Sequence, residues 1–393
     1  MPRMTARSRH EEHRAATPLE LFFDLCFVVA VAQAGARLVH SLAEGHLGTG
    51  LAGYTAVFFA IWWAWMNFTW FASAYDSDDV LYRVVTLVQI TGVLILAAGV
   101  PRAFDKSDFT VCVVGYIVMR LALTSQWLRA ARDAADPGER RMALLYAAGL
   151  VVCQLGWIGM LFVPAGTARS WVFVVLAAAE LAVPVVAERS TQSTWHPHHI
   201  AERYGLFTLI VLGETVAAAT VAVQEALDEH EALGELLPIA GGGLLIVFAA
   251  WWIYFAVPIA GHLTSNSQAF AWGYGHFVIL GSAAAIGAGM EVAVEQAVGK
   301  AHISTAAAAA AVTVPAALFM LTVWALHSRH FKRTLAEQLT LPVSAVAILG
   351  CTFAGHGAVL AAGLVAAATI TVGVTLSSRG VERHGRRRVE SHD

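Results

Sequence analysis

The chain has 393 residues, 58% of them hydrophobic and 13% charged, with a formal net charge of −3. A soluble domain carries about a quarter charged residues, so the soluble globular class is excluded. Apolar runs of about 20 residues recur throughout, each able to cross about 30 Å of hydrocarbon, and they exclude a β-barrel of shorter alternating segments.

Twelve spans are predicted, near 20–43, 50–72, 83–104, 109–130, 143–163, 168–188, 203–224, 237–260, 270–293, 305–326, 340–355 and 358–377. The eleventh is short and ends at Gly355-His356-Gly357, so it reads either as a full span or as a tilted or re-entrant pair with the twelfth. With the N-terminus inside, nineteen basic residues fall on the inner side, against Arg102, Lys106, Arg169 and Lys300 outside. The positive-inside rule then places both termini in the cytoplasm and requires an even helix count. The basic N-terminus (Arg3, Arg7, Arg9, Arg14) precedes a run too long and too acidic for a cleaved signal peptide, so the first helix is expected to remain. Cys26, Cys112, Cys153 and Cys351 lie in apolar runs without disulfide or zinc spacing and read as small buried hydrophobes.

In span one, Glu20 and Asp24 are four apart and share a helix face at the inner end. Glu20 reads as a helix cap or a gate residue, and Asp24, a turn deeper, as structural or functional. Arg37, on the opposite face, reads as snorkelling outward. The stripe of Phe59, Trp63, Met66 and Trp70 in span two is expected to face lipid with a belt at Trp70, the alternative being a cation cage. Asp76, Asp78 and Asp79 follow, with Arg83 at the next helix start. They read as a solvated loop with a helix cap, or as a cytoplasmic gate in which Asp79 meets Arg83.

Arg120, Glu180 and Glu214 fall near the centres of spans four, six and seven. A charge there costs about 2.5–3.5 kcal/mol even on the lenient insertion scale. Arg120 is expected to neighbour Glu214 or Glu180, either as a static pair locking helices or as a proton-coupling group. His196, His198, His199 and Glu202 cluster before span seven, with Arg203 beside them. They read as an inner cap or gate; ligand spacing from His199 to Glu202 is present, yet no second cluster completes a metal site, and no metal or cofactor is expected. Gly241-Gly242-Gly243 and the alanines from Ala306 read as helix-packing surfaces, the glycines alternatively as a helix break. His276 is a proton-relay candidate, while Glu291 and Glu295 are expected at the outer surface. The tail Arg386-Arg387-Arg388 is expected to contact anionic lipid, with no nucleic-acid partner.

The two halves show the same order of features: an acidic first helix, an aromatic second helix with Trp62-Trp63 or Trp251-Trp252, then a glycine-containing third. The expected fold is all-α, about twelve transmembrane helices as two parallel six-helix repeats. Its divisions are a basic N-tail at 1–17, repeats at 18–190 and 191–378, and a basic C-tail at 379–393.

Leu19-Glu20-Leu-Phe-Phe-Asp24-Leu-Cys-Phe27 through Gln33 resembles the opening of the bacterial low temperature requirement A (LtrA) family. So do Trp62-Trp63-Ala-Trp65, the segment from Tyr75 to Arg83, and His199-Ile-Ala-Glu202-Arg203-Tyr-Gly205 through Gly213-Glu214. The resemblance spans nearly the whole chain and implies a membrane-embedded protein linked by its family name to growth in the cold. A shorter resemblance joins Phe22-Phe23-Asp24-Leu-Cys-Phe27 to the Phe-Ser-Asp signature of potassium channels built from six-helix repeats, with Phe23 in place of the serine.

The expectation is therefore a secondary transporter of the bacterial inner membrane, proton-coupled in its sharpest form, moving a small solute or ion. The candidate coupling set is Asp24, Arg120, Glu180 and Glu214; the candidate gate is Glu20, Asp76, Asp79, Arg83, Glu202 and Arg203. The alternatives are a cation channel and a non-transporting stress-response protein. No nucleophile motif or phosphate loop marks an enzyme. The oligomeric state stays open, a homodimer among the options.

Overall fold

In lipid, every backbone N–H and C=O must be satisfied within the segment itself, which a helix achieves. The computed structural model describes residues 3–8, 11, 14–230, 233–332 and 334–389, with backbone alone at 229–230 and 379–389. Arg9, Arg333 and the side chains of Arg386, Arg387 and Arg388 lie outside that description. Among the described residues there are twelve α-helices and no strand: α1 (Pro18–Ala43), α2 (Leu47–Tyr75), α3 (Val80–Lys106), α4 (Thr110–Asp133), α5 (Pro137–Met160), α6 (Thr167–Ala187), α7 (Pro197–His230), α8 (Leu233–Phe255), α9 (Asn266–Ala297), α10 (Thr305–Leu326), α11 (Leu335–Cys351) and α12 (Ala358–Val389). Among the described residues, eleven helical segments are long and apolar enough to cross a membrane. The exception, α11, has 17 residues, about 25 Å of helix at 1.5 Å per residue. The protein thus has the architecture of a polytopic helical membrane protein, with eleven candidate spans plus one short helix.

Packing divides the chain into two compact units. Unit 1 comprises Met1–Arg37, Gly50–Ile210 and Ala260–Phe270; unit 2 comprises Leu38–Thr49, Val211–Ile259 and Ala271–Asp393. In unit 1, α3 packs on α4, α4 on α5, and α5 on α6. Glycines set the first of these contacts: a Cβ on Gly92 would meet the Gly115 carbonyl at 2.8 Å. Close backbone approach through small residues replaces the hydrophobic drive that lipid cannot supply. In unit 2, α8 meets α12 the same way, Gly242 lying against the Val359 carbonyl and Gly363 against Gly242. Of the glycine triplet, Gly242 is therefore a packing surface inside a continuous α8.

The polarity of unit 1 is inverted. On α1, Phe22, Leu25 and Val29 are exposed, while Glu20 and Asp24 are fully buried beside Phe23 and Phe27. The expected lipid-facing stripe on α2 is corrected: Phe59, Trp63 and Met66 are buried, and Trp70 is half-buried. Their rings fill the interior because Trp63 and Trp70 each have a buried acceptor, Glu180 Oε2 at 2.8 Å and the Tyr204 hydroxyl at 3.1 Å. The N-terminal segment is also tied down: Arg7 N donates to Ala74 O at 2.8 Å, and Met4 N to Asp133 Oδ2 at 3.0 Å.

Candidate functional site

Two pairs of residues at four-residue spacing meet in unit 1. Glu20 and Asp24 lie on one face of α1; His199 and Arg203 lie on one face of α7, and all four are fully buried. Glu20 caps its own helix, Thr17 N donating to Oε2 at 2.7 Å and Glu20 N returning a bond to Thr17 Oγ1 at 3.3 Å, a reciprocal box. The same carboxylate faces Arg203 Nη1 at 3.2 Å, His199 Nε2 at 3.1 Å and Arg14 Nη2 at 3.7 Å. Arg203 Nη2 donates to Asp24 Oδ1, which also accepts from Trp65 Nε1 at 2.7 Å. Trp65 is fixed in turn by stacking on Phe207, with ring centroids 4.5 Å apart. Arg14 extends the network to Asp76 Oδ2 at 3.5 Å and anchors on Ala72 O at 3.0 Å.

The cluster does not balance. Glu20, Asp24 and Asp76 carry three negative charges against two on Arg14 and Arg203, so a neutral His199 leaves a net charge of −1. Arg7, 3.9 Å from Asp76, is itself paired with Glu11 at 2.9 Å. One proton, on His199 or on a carboxylate, brings the sum to zero. The polar contacts are incomplete too: Asp24 Oδ2, His199 Nδ1, Arg203 Nε and the Tyr82 hydroxyl are buried without a hydrogen-bond partner among the described residues. Burial pushes the Asp76 carboxyl up, reinforced by Glu20 and opposed by Arg14.

A second charged site in unit 1 is closed. Arg120 Nη2 lies 3.3 Å from Glu180 Oε2, both nearly inaccessible. Glu180 Oε2 also accepts from Trp63 Nε1 at 2.8 Å, and Oε1 from Trp157 Nε1 at 3.1 Å. Arg120 donates to the Tyr116 hydroxyl at 2.9 Å. One cation meets one anion, and both carboxylate oxygens are satisfied. A third acid, Glu188 just after α6, is buried without any cation within 4 Å among the described residues. It accepts from Tyr146 Oη at 2.8 Å, Ser193 Oγ at 2.7 Å and Asn266 Nδ2 at 2.5 Å. Burial pushes its carboxyl up.

Of the two readings of the loop after α2, the helix cap holds and the Asp79–Arg83 pair does not. Asp79 caps α3 by accepting from Tyr82 N at 3.0 Å, and its ion-pair partner is Arg129 of α4. Arg83 instead pairs with Asp78 at 2.7 Å, on the surface. Asp79 cannot serve Arg83 because its oxygens already hold Tyr82 N and Arg129, while Asp78, at φ 45°, reaches back to Arg83. The Arg129 guanidinium holds the Asp79 carboxyl well below the usual carboxylate range.

The model of the family described as bacterial low temperature requirement A protein (LtrA) matches residues 15–376. The chain belongs to that family. It is also 28% identical over 291 residues to an uncharacterized protein of Rhizobium meliloti (strain 1021), covering 70% of this chain and 68% of the relative. The LtrA match begins beside Arg14 and contains Glu20, Asp24, Asp76, His199 and Arg203.

Of the residues read from the LtrA-like sequence as coupling candidates, the fold brings Arg120 to Glu180 and leaves Asp24 in the separate unbalanced cluster. Glu214, in unit 2, is half-buried with no hydrogen bond or ion pair among the described residues. Glu202 is exposed and accepts from Ala16 N at 3.2 Å. Arg37 pairs with Asp105 at 3.2 Å. Glu291 and Glu295 are half-buried rather than exposed. His276 is buried against Tyr254, whose hydroxyl lies 2.9 Å from Nε2, and its Nδ1 donates to Trp272 O at 2.8 Å. Among the described residues no group of three His, Cys, Asp or Glu could hold a metal. The cluster's missing members in the sequence reading were Arg14 and Trp65. The signal that was available is the matched spacing, two acids four apart on one helix and His-x₃-Arg on another.

Proposed function

We propose that this protein is a secondary transporter of the bacterial inner membrane whose ion-coupling site is the buried cluster of Glu20, Asp24, His199 and Arg203. The observation that carries the reading is the charge imbalance: three buried carboxylates face two arginines, with a histidine in contact. Taking an uncompensated charge out of water costs several kcal/mol, so the cluster is stabilised by taking up one proton and is ready to release it when its surroundings change. A histidine is the side chain suited to do so near neutral pH. Ionisable groups on membrane helices with such partners mark ion and proton pathways.

In this reading Arg203 is the fixed cation, His199 and Asp24 exchange the proton, and Arg14 with Asp76 closes the network toward the loop. The Arg120–Glu180 pair holds α4 and α6 together. Glu214 is a second proton-carrier candidate because no cation among the described residues pairs with it. Both termini lie in the cytoplasm, as the distribution of arginines favours, and the coupled solute is a small molecule or ion. The reading involves no catalysis. The test is flux in liposomes containing purified protein under imposed proton and potassium gradients. Asp24→Asn is expected to abolish proton-coupled flux, and Glu214→Gln to reduce or abolish it, with both variants folded. Flux down a potassium gradient without proton movement would instead establish the cation-channel alternative.

A further inference from the structure

Unit 1 also contains a pocket of about 20 Å³, lined by Trp63, Trp70, Trp127, Tyr146, Asn67 and Ser193 among others. That volume suits one occupant of water-like size, which needs about 10–15 Å³. Four side-chain donors of the wall are engaged by other acceptors. Trp63 donates to Glu180 at 2.8 Å, Trp70 to Tyr204 at 3.1 Å, and Tyr146 and Ser193 to Glu188 at 2.8 and 2.7 Å. These residues supply aromatic rings and hydroxyl and amide oxygens. Trp127 and Tyr146 stack with centroids 4.1 Å apart, nearly parallel at 3°. Asn67 donates its Nδ2 to Trp63 O at 2.7 Å, and its Oδ1 accepts no hydrogen bond among the described residues.

Behind this wall lies Glu188, buried and without a cation within 4 Å among the described residues. Its hydrogen bonds come from neutral donors, so its charge is solvated but not balanced. Aromatic faces, a free amide oxygen and a buried uncompensated carboxylate are together the chemistry of a cation site. The volume excludes a quaternary ammonium of choline size.

We propose that this aromatic pocket binds a compact monovalent cation of ammonium or potassium size, held by Asn67 Oδ1, Ser193 Oγ and the ring faces, with Glu188 supplying the balancing charge through Ser193 and Tyr146. Binding is read at equilibrium without flux, so the inference stands or falls separately from the coupling site at α1 and α7.

The test uses the purified full chain in lipid nanodiscs, dialysed into N-methyl-D-glucamine chloride and titrated at constant ionic strength with potassium, ammonium or choline chloride. Tryptophan fluorescence and the thermal unfolding midpoint are followed. Potassium or ammonium is expected to give a saturable fluorescence change and a higher midpoint, as any ligand specific to the folded state must. The ion with the lower half-saturation is the occupant. Choline is expected to give neither effect. Glu188→Gln and Asn67→Ala should each raise the half-saturation concentration by about tenfold or more, the equivalent of one lost polar contact. A wild-type protein that does not respond, an equal response to choline, or a Glu188→Gln protein that titrates like wild type would overturn the proposal. If Glu188→Gln does not fold, wild-type behaviour of Asn67→Ala overturns it.

Discussion

Unit 1 contains two buried ion-pair sites built from the same residue types, and they are opposite in character. At Arg120–Glu180 one cation meets one anion, and both carboxylate oxygens accept from indole N–H groups. At Glu20–Asp24–His199–Arg203 the anions outnumber the cations, a histidine sits in contact, and Asp24 Oδ2 has no donor among the described residues. A closed pair has one stable state and serves as a rivet. The open cluster reaches charge balance only by taking up a proton, which is what the proposed coupling uses. What separates the two is charge balance and the satisfaction of the carboxylate oxygens.

The largest effect is expected from Arg203→Ala. It strips Glu20 and Asp24 of their shared cation, and removing one partner of a buried pair costs about 3–5 kcal/mol. The protein should lose its folded fraction in detergent at room temperature, as read by size-exclusion chromatography; a normal elution profile would break the account of Arg203. The next effect sharpens the comparison directly. Replacing both partners of the closed pair, Arg120→Met with Glu180→Gln, leaves no charge at that site but takes the acceptor from one indole N–H, and is expected to cost about 1–3 kcal/mol, with flux retained. The same neutralising treatment of Asp24 and Arg203 should abolish flux even where the fold survives. Equal flux in the two double variants would remove the distinction.

A smaller effect is expected at Asp79. Its carboxyl is held down by Arg129 in the folded protein, so the pair contributes stability above the carboxyl's ordinary range and loses it as pH falls through that range toward the folded value. Wild type should therefore lose more stability than Asp79→Asn between neutral pH and about pH 3. At neutral pH, Asp79→Ala costs about 1–2 kcal/mol through the lost helix cap. Parallel pH-stability curves would contradict the assignment. The smallest effect belongs to Arg83→Ala, whose partner Asp78 is likewise on the surface; its unfolding midpoint should match wild type.

Much of this was legible in the sequence. Composition dictated the helical membrane class, and the motifs around Glu20, Trp62 and His199 carried the family. Helix phase correctly paired Glu20 with Asp24 on one face. What phase cannot supply is the partner helix: His199 and Arg203 present the complementary face, but only the tertiary fold shows that it meets α1. The same limit explains Asp79, where a helical spacing of four suggested Arg83 and tertiary packing brought Arg129 instead. The aromatic stripe on α2 was misplaced outward because apolar rings suit lipid and core equally; the buried acceptors Glu180 and Tyr204, distant in sequence, decide for the core. The short α11 was visible as a short apolar run.

The proposed coupling site is the open cluster at α1 and α7, and not the Arg120–Glu180 pair. The most direct measurement is proton movement into liposomes loaded with a pH-sensitive dye, under an imposed pH gradient, for wild type, Asp24→Asn and the Arg120→Met/Glu180→Gln double variant at equal protein content. Wild type and the double variant are expected to dissipate the gradient, and Asp24→Asn is expected not to. Dissipation by Asp24→Asn at the wild-type rate, or none by folded wild type, would contradict that assignment.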